Sequence, residues 1–389
     1  MKRNRNLLAG LMLALLVLTP LSAAFGAEQQ DVTKSVTTGS QTFSLAVGKR
    51  TAQFVRINLN DTRLEIRPVL AHQELGKTES LESMAKRQGA VAAINGTFFM
   101  AYNEGAHKPP WGKIVIDFHS IQDGSSGASI GFNGNIKPVI DSSKNLNADS
   151  FQHISSAGPT LLKDGKIVVD PLAEGMTDPK LTTLSGQRSF IGYTADNQII
   201  MGTVPNVTLA QLAEICKSMG LVAAMNLDGG ASSGLYAHGK NLTRPGRELS
   251  NALVVVTKKT APPIQVTSQG TSLVFSHGPL LIKGSLYVPA SEFLEKVGAK
   301  VTLQAQEKLL TATYADREIQ LAENGALRKM NGGISSYLPT RFIAGKQMVP
   351  LRAIAESLGL GVEWDPQTSV AKIVNAEAPK EEETKTGLE

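Results

Sequence analysis

The apolar run 221–225, Leu-Val-Ala-Ala-Met, passes directly into Asn226-Leu227-Asp228-Gly229-Gly230-Ala231-Ser232-Ser233. A short, uninterrupted apolar run bounded by turn formers reads as a buried strand. The fold must therefore carry an amide, a carboxylate, two glycines and two hydroxyls to the end of a strand in the core. Such polarity has little structural use there. Glycines let the backbone approach a ligand and leave N–H groups able to face an anion, while a carboxylate can act as acid, base or metal ligand. Residues 91–94, Val-Ala-Ala-Ile, end in the same manner in Asn95-Gly96-Thr97-Phe98-Phe99. Both strand ends read as parts of one site.

Strand patterns fill most of the first 260 residues. Residues 54–59 and 64–69 alternate in polarity and are joined by Asn60-Asp61-Thr62, which predicts a hairpin. Residues 155–162 precede Lys163-Asp164-Gly165-Lys166, an Asp-Gly hairpin turn. Residues 190–194 and 198–201 are joined by a turn at Ala195-Asp196-Asn197, which leaves Arg188 at a hairpin mouth, suited to a bidentate grip on phosphate or carboxylate. Helices are predicted over 80–88, capped by Ser80, and over 208–218, opened by Thr208 and stopped before Gly220. The expected class is α+β, mainly antiparallel sheet with a few helices, followed by a smaller duplicated α+β domain.

The duplication is visible directly. Val288-Pro289, Phe293, Gly298 and Leu303 match Val349-Pro350, Ile354, Gly359 and Trp364 at a fixed offset of 61 residues. Each half reads as a turn, a short helix and a strand pair.

The first residues are basic, with Lys2, Arg3 and Arg5 ahead of the apolar run 7–18 and small residues at 22–26. This is the pattern of a secretory signal peptide. The chain is expected to be secreted or envelope-associated, with no transmembrane span after cleavage. Its excess of five positive charges shrinks without the leader to 36 basic residues against 34 acidic, which gives nucleic-acid binding no support. Cys216 is the one cysteine, so no internal disulfide forms. It shares an amphipathic pattern with Leu209, Leu212, Ile215 and Met219, as a core thiol would.

The elements Asn95-Gly-x-Phe-Phe99, Gly158-Pro-x-Leu-Leu162, Arg188-Ser-x-x-Gly192 and Asn226-Leu-Asp-Gly-Gly230 fall in this order across one domain-sized span. Together they resemble the phosphodiester glycosidase family. The likeness runs from about Phe43 to Thr257 and closes on Arg247-Glu-Leu-Ser-Asn251-Ala-Leu253. Thr97 stands where a second glycine is common in that family, and Ala231 where a third follows Gly230. The later repeat resembles the domain named after the copper amine oxidase N-terminal region. That name implies no copper here, since His277 is the only histidine after the linker. The expected organisation is a signal peptide over 1–26, a flexible segment over 27–42, a phosphodiester glycosidase-like domain over 43–258, a linker over 259–270, the duplicated domain over 271–375 and a charged tail over 376–389.

The residues alone imply an anionic, hydroxyl-rich ligand. The resemblance implies a hydrolase that cleaves a sugar-1-phosphodiester in a sugar-phosphate-containing glycan or cell-wall polymer. In that reading Asp228 is general acid/base or nucleophile, Arg188 holds the phosphate, and Glu104 is a second carboxylate, since glycosidic cleavage usually engages two. Asn95, Gly96, Thr97, Asn226, Gly229, Gly230, Ser232, Ser233, Arg247 and Asn251 are expected to contact substrate. A divalent cation such as calcium could sit at Asp228 and Asn226. Blander readings fit the same residues: Asp228 and Asn95 as turn formers, Arg188 paired with Asp178 or Glu174 at the surface, Glu104 as a solvated loop charge. A non-catalytic glycan-binding or surface-assembly protein is the alternative function.

Overall fold

The computed structural model describes residues 32, 34–125, 127–134, 136–258, 263–329 and 333–375. The expected leader over 1–26, residues 259–262 of the linker and the tail over 376–389 lie outside the described residues.

The expected α+β class is corrected to a mainly β architecture, with 48% strand and 13% helix. The five α-helices among the described residues are short, the longest being Leu209–Ser218, and Pro179–Thr182 buries no residue at all. The helix signals themselves held. Ser80 caps Leu81–Arg87, and Thr208 and Gln211 close a reciprocal capping box on Leu209–Ser218. Three antiparallel sheets make the first unit. The largest runs Val36–Leu45, Gly48–Asn58, Gln198–Val207, Gly186–Thr194, Leu221–Asn226, Thr160–Lys163 and Lys166–Ile167. A second holds Lys240–Thr243, Leu235–Ala237, Ala92–Asn95, Asn251–Thr257 and Leu64–Leu70, and a third is built around His153–Ala157.

All three sheets send side chains into one core. Ile57, Ile191 and Met225 come from the first, Ile66, Ile94 and Leu253 from the second, and Ile130 and Phe132 from the third. Burying so much aliphatic surface is the main stabilising term, on the order of 2 kcal/mol for each such side chain. Cys216 sits in a second core between the Leu209–Ser218 helix and the large sheet, where burial pushes its thiol pKa up, consistent with a packing role.

Two readings of the first strands change. Residues 54–59 and 64–69 do not form a hairpin: Gly48–Asn58 pairs with Val36–Leu45, and Leu64–Leu70 with Asn251–Thr257. The Asn60-Asp61-Thr62 turn instead carries the chain from one sheet to another. Residues 36–42, expected within a flexible segment, belong to an edge strand whose alternation is too polar to be recognised by pattern. The hairpins at Asp164-Gly165 and Asp196-Asn197 form as expected.

The duplicated region builds its own core from both halves, with Phe293 of the Ala290–Lys296 helix and Ile354 of the Leu351–Ser357 helix among its members. Its first strand, Gln265–Ser268, pairs in parallel with its last, Val370–Asn375, which closes the unit. It touches the first unit through Phe118 and Ile136, which pack with Ile282, Tyr287, Ile343 and Met348. Arg341 reinforces this contact by donating to the Ala148 carbonyl at 2.9 Å and pairing with Asp149 at 3.1 Å.

Candidate active site

Asn95 ends a strand of the second sheet, and Asn226 ends a strand of the first, so the two polar clusters converge where the sheets meet. The Asn95 amide is bonded at both ends. Its Nδ2 donates to the Asp228 carbonyl at 2.6 Å, and its Oδ1 accepts from Ser189 Oγ at 2.8 Å and Gly234 N–H at 3.0 Å. The Asp228 N–H in turn reaches the Gly96 carbonyl at 3.3 Å. Asn95 was expected to meet a sugar hydroxyl. With one donor and its acceptor used inside the protein, it positions the Asp228 loop.

Asn251 does the same for the other loop. Its Oδ1 accepts the Thr97 N–H at 2.8 Å, and its Nδ2 donates to Ser250 Oγ at 2.8 Å. A methyl group on Gly96 would stand 2.0 Å from that Oδ1, so only glycine admits this close approach.

The Asp228 carboxylate accepts the Gly229 N–H at 2.9 Å and the Ser232 hydroxyl. Gly229 N–H is thus committed to Asp228 and is not free for an anion, whereas Gly230, at φ 62°, opens the short 3-10 turn that brings Ser232 round. Burial outweighs these hydrogen bonds and the Arg247 charge, and raises the Asp228 pKa to about 6. A carboxyl poised there can exchange a proton near neutral pH.

Arg188 is 4% exposed. Its Nε donates to the Val207 carbonyl at 3.2 Å, and its Nη2 to the Lys180 and Leu184 carbonyls, each at 2.6 Å. The expected bidentate grip is therefore not available, and Nη1 is the end left for a ligand. A methyl group on Gly229 would lie 3.6 Å from Nη1, which puts the guanidinium beside the Asp228 loop. Arg188 has no carboxylate ion-pair partner among the described residues, neither Asp178 nor Glu174. Burial lowers its pKa, as expected of a cation enclosed without a counter-charge.

Three buried polar atoms in the two clusters lack any hydrogen-bond partner: Thr97 Oγ1, Asn226 Oδ1 and Ser233 Oγ. Buried polar atoms are satisfied as a rule, so a group of orphans on the two converging segments points to a ligand that supplies the missing partners. The Asn226 Nδ2 is held by the Gly158 carbonyl at 2.8 Å. Glu104 is not brought in. It is exposed on the loop between the paired residues Phe99 and Pro110, and no hydrogen bond or ion pair engages it among the described residues.

Asp228 and Asn226 do not fit a calcium site. Calcium takes six to eight oxygen ligands, whereas this pair offers the Asn226 Oδ1 and one carboxylate that already accepts two donors and is driven by burial toward its neutral form. Elsewhere, Glu65, Asp117 and His153 gather ligand atoms within 4.8 Å of one another. His153 Nδ1 accepts the Asp117 N–H at 3.2 Å, so its Nε2 donates to Glu65 at 3.1 Å, and the Arg67 and Lys258 charges act on the same carboxylate, so cations already serve it.

Residues that the sequence patterns did not single out complete the picture. Ser189 holds Asn95, and Lys180 and Tyr102 stand at the rim with Arg247, whose Nη2 donates to the Tyr102 hydroxyl at 2.8 Å. Ser189 could have been found from strand alternation, which places it opposite Arg188; the rim residues lie in loops with no periodic signal.

Residues 88–256 match the family model for phosphodiester glycosidases, and residues 267–373 that for the copper amine oxidase N-terminal domain. No curated protein matches the chain. Among solved structures, a hypothetical protein from Synechocystis superposes with a TM-score of 0.51 at 18% identity, covering 58% of this chain and 62% of that one. The zebrafish N-acetylglucosamine-1-phosphodiester alpha-N-acetylglucosaminidase catalytic domain, auto-inhibited by its pro-peptide, is similar with a TM-score of 0.48 at 17% identity over 58% and 84%. The aligned part thus spans less than two thirds of the Synechocystis protein, with which the shared property is the fold. The chain therefore carries a phosphodiester glycosidase domain, which contains Asn95, Arg188 and Asp228, followed by a copper amine oxidase N-terminal domain.

Proposed function

We propose that this protein is an exported hydrolase that splits the bond between a sugar's anomeric carbon and a phosphodiester oxygen, releasing free sugar and a phosphomonoester. The carrying observation is the placement of Arg188, a buried cation with no carboxylate partner among the described residues, beside the loop that holds the Asp228 carboxyl. A diester phosphate carries the single negative charge that Arg188 lacks. Guanidinium stays charged and is pinned by three carbonyls, so it needs no reorganisation as charge builds on the leaving group.

In this mechanism the Asp228 carboxylate takes a proton from water as the water oxygen bonds to the anomeric carbon. The carbon–oxygen bond to phosphorus breaks, and its electron pair leaves on the phosphomonoester. A phosphate departs as a stable anion and has little need of an acid, so one carboxylate can suffice where ordinary glycosidases use two. Thr97 Oγ1, Asn226 Oδ1 and Ser233 Oγ then find their partners in sugar hydroxyls and phosphate oxygens. The leader-like pattern of the first residues supports export, and with it an envelope or extracellular glycan containing sugar-1-phosphate links as substrate.

Phosphorus NMR tests the reaction class. Incubation with a sugar-1-phosphodiester should convert the diester resonance to a monoester one in step with the appearance of reducing sugar. Monoester without reducing sugar would mean cleavage on the other side of phosphorus and would overturn this assignment.

A further inference from the structure

Three cations lie around the Asp228 loop. Arg188 is the buried one, and its Nη2 donates to the Lys180 backbone carbonyl at 2.6 Å. The Lys180 ammonium lies 5.3 Å from the centroid of the Tyr102 ring, and the Arg247 guanidinium lies 4.7 Å from the same centroid. Tyr102 is 78% exposed, so the ring is held by these two cations and not by packing. The Arg247 hydrogen bond and the Arg247 and Lys180 charges lower the Tyr102 pKa, while the charge of Asp228 reaches the same phenol.

The carboxylates nearest in sequence are engaged elsewhere. Asp178 accepts the Lys180 N–H as a helix cap, and Glu248 accepts the Thr78 hydroxyl. No ion pair involves Lys180, Arg188 or Arg247 among the described residues. Lys180 and Arg247 thus share one exposed ring with no ion-pair partner among the described residues. One phosphodiester supplies a single negative charge for Arg188, which leaves these two cations for a further anion.

We propose that Lys180 and Arg247 form a second anion subsite, clasped by Tyr102 when empty, which takes the next phosphate of a polyanionic glycan. The substrate class is then a chain of repeated sugar-phosphate units, and not a neutral glycan with one phosphodiester. This deepens the proposed function and rests on it for the location of the scissile bond, but the charge arrangement can be tested without turnover.

The test is titration calorimetry on the full chain with glucose 1-phosphate and glucose 1,6-bisphosphate as probes. Wild type should bind the bisphosphate about tenfold more tightly or better, the value of one charge-assisted contact. Lys180→Ala should reduce that preference to about twofold, and Lys180→Arg should restore it. Equal binding of the two probes by wild type would overturn the proposal. So would a Lys180→Ala variant that keeps the full bisphosphate preference. A bisphosphate preference in a protein that hydrolyses no sugar-1-phosphodiester would leave the subsite standing and remove the proposed reaction instead.

Discussion

The Asn95 side chain donates to the Asp228 backbone carbonyl at 2.6 Å, joining the ends of two strands that lie 133 residues apart in the chain. The same amide is held by Ser189 and Gly234, so Asn95 is a strut between the sheets. Asn95→Ala would leave three buried groups without partners and cost about 3 kcal/mol. It should lower kcat by about 100-fold through loss of Asp228 placement, with KM little changed. Thermal unfolding and steady-state kinetics on one preparation check both.

The pKa of Asp228 sets the pH dependence. Burial raises it from 3.8 to about 6, so the carboxylate that serves as base accumulates only above that pH. Activity should rise as pH increases through about 6 and level off beyond it. A kcat profile from pH 4 to 8 checks this; a limb near 4 would mean an unburied carboxyl.

Stability follows the opposite sign. Native Asp228 binds its proton more tightly than the unfolded chain does, so its contribution is unfavourable above the native pKa and disappears below the unfolded value. Asp228→Asn should therefore stabilise the protein at pH 7 by up to about 3 kcal/mol, less whatever solvent screening removes, and by much less at pH 4. Denaturant midpoints at the two pH values measure the difference.

Arg188→Lys keeps the charge but cannot reproduce the bonds to the Val207, Lys180 and Leu184 carbonyls. We expect kcat/KM to fall about 100-fold, as on removing one donor to developing charge. Guanidinium added to the assay should not rescue this variant if the three-carbonyl anchor matters as much as the charge.

Gly96→Ala tests the close approach of the two loops. The added methyl group would meet Asn251 Oδ1 at 2.0 Å and break its bond to the Thr97 N–H. A loss of about 1–3 kcal/mol is expected, accompanied by loss of activity, and is read from the unfolding midpoint.

Much of this was legible before any fold was seen, because chemistry and punctuation coincide at 226–233 and at 95–99. Buried strands ending in amides, glycines and hydroxyls leave a strong local signal, and so do the Ser80 and Thr208 caps. What remained hidden depends on pairing over distance. Nothing local says that the strand containing Phe54 pairs with 198–203 rather than with its neighbour over 64–69. For the same reason the struts at Asn95 and Asn251 leave no local signal: their partners, the Asp228 carbonyl and the Thr97 N–H, are backbone groups on other segments. The expected α+β class gave too much weight to a few well-capped but short helices. Lys180 and Tyr102 escaped notice because loop residues that meet through a cation and a ring follow no period.

The most direct measurement is release of free N-acetylglucosamine from N-acetylglucosamine-1-phospho-6-mannose by wild type and by Asp228→Asn, with circular dichroism to establish that both are folded. The proposed mechanism predicts release by wild type and a loss of about 1,000-fold or more in the variant, the scale of a missing general base. An undiminished rate in folded Asp228→Asn would contradict it.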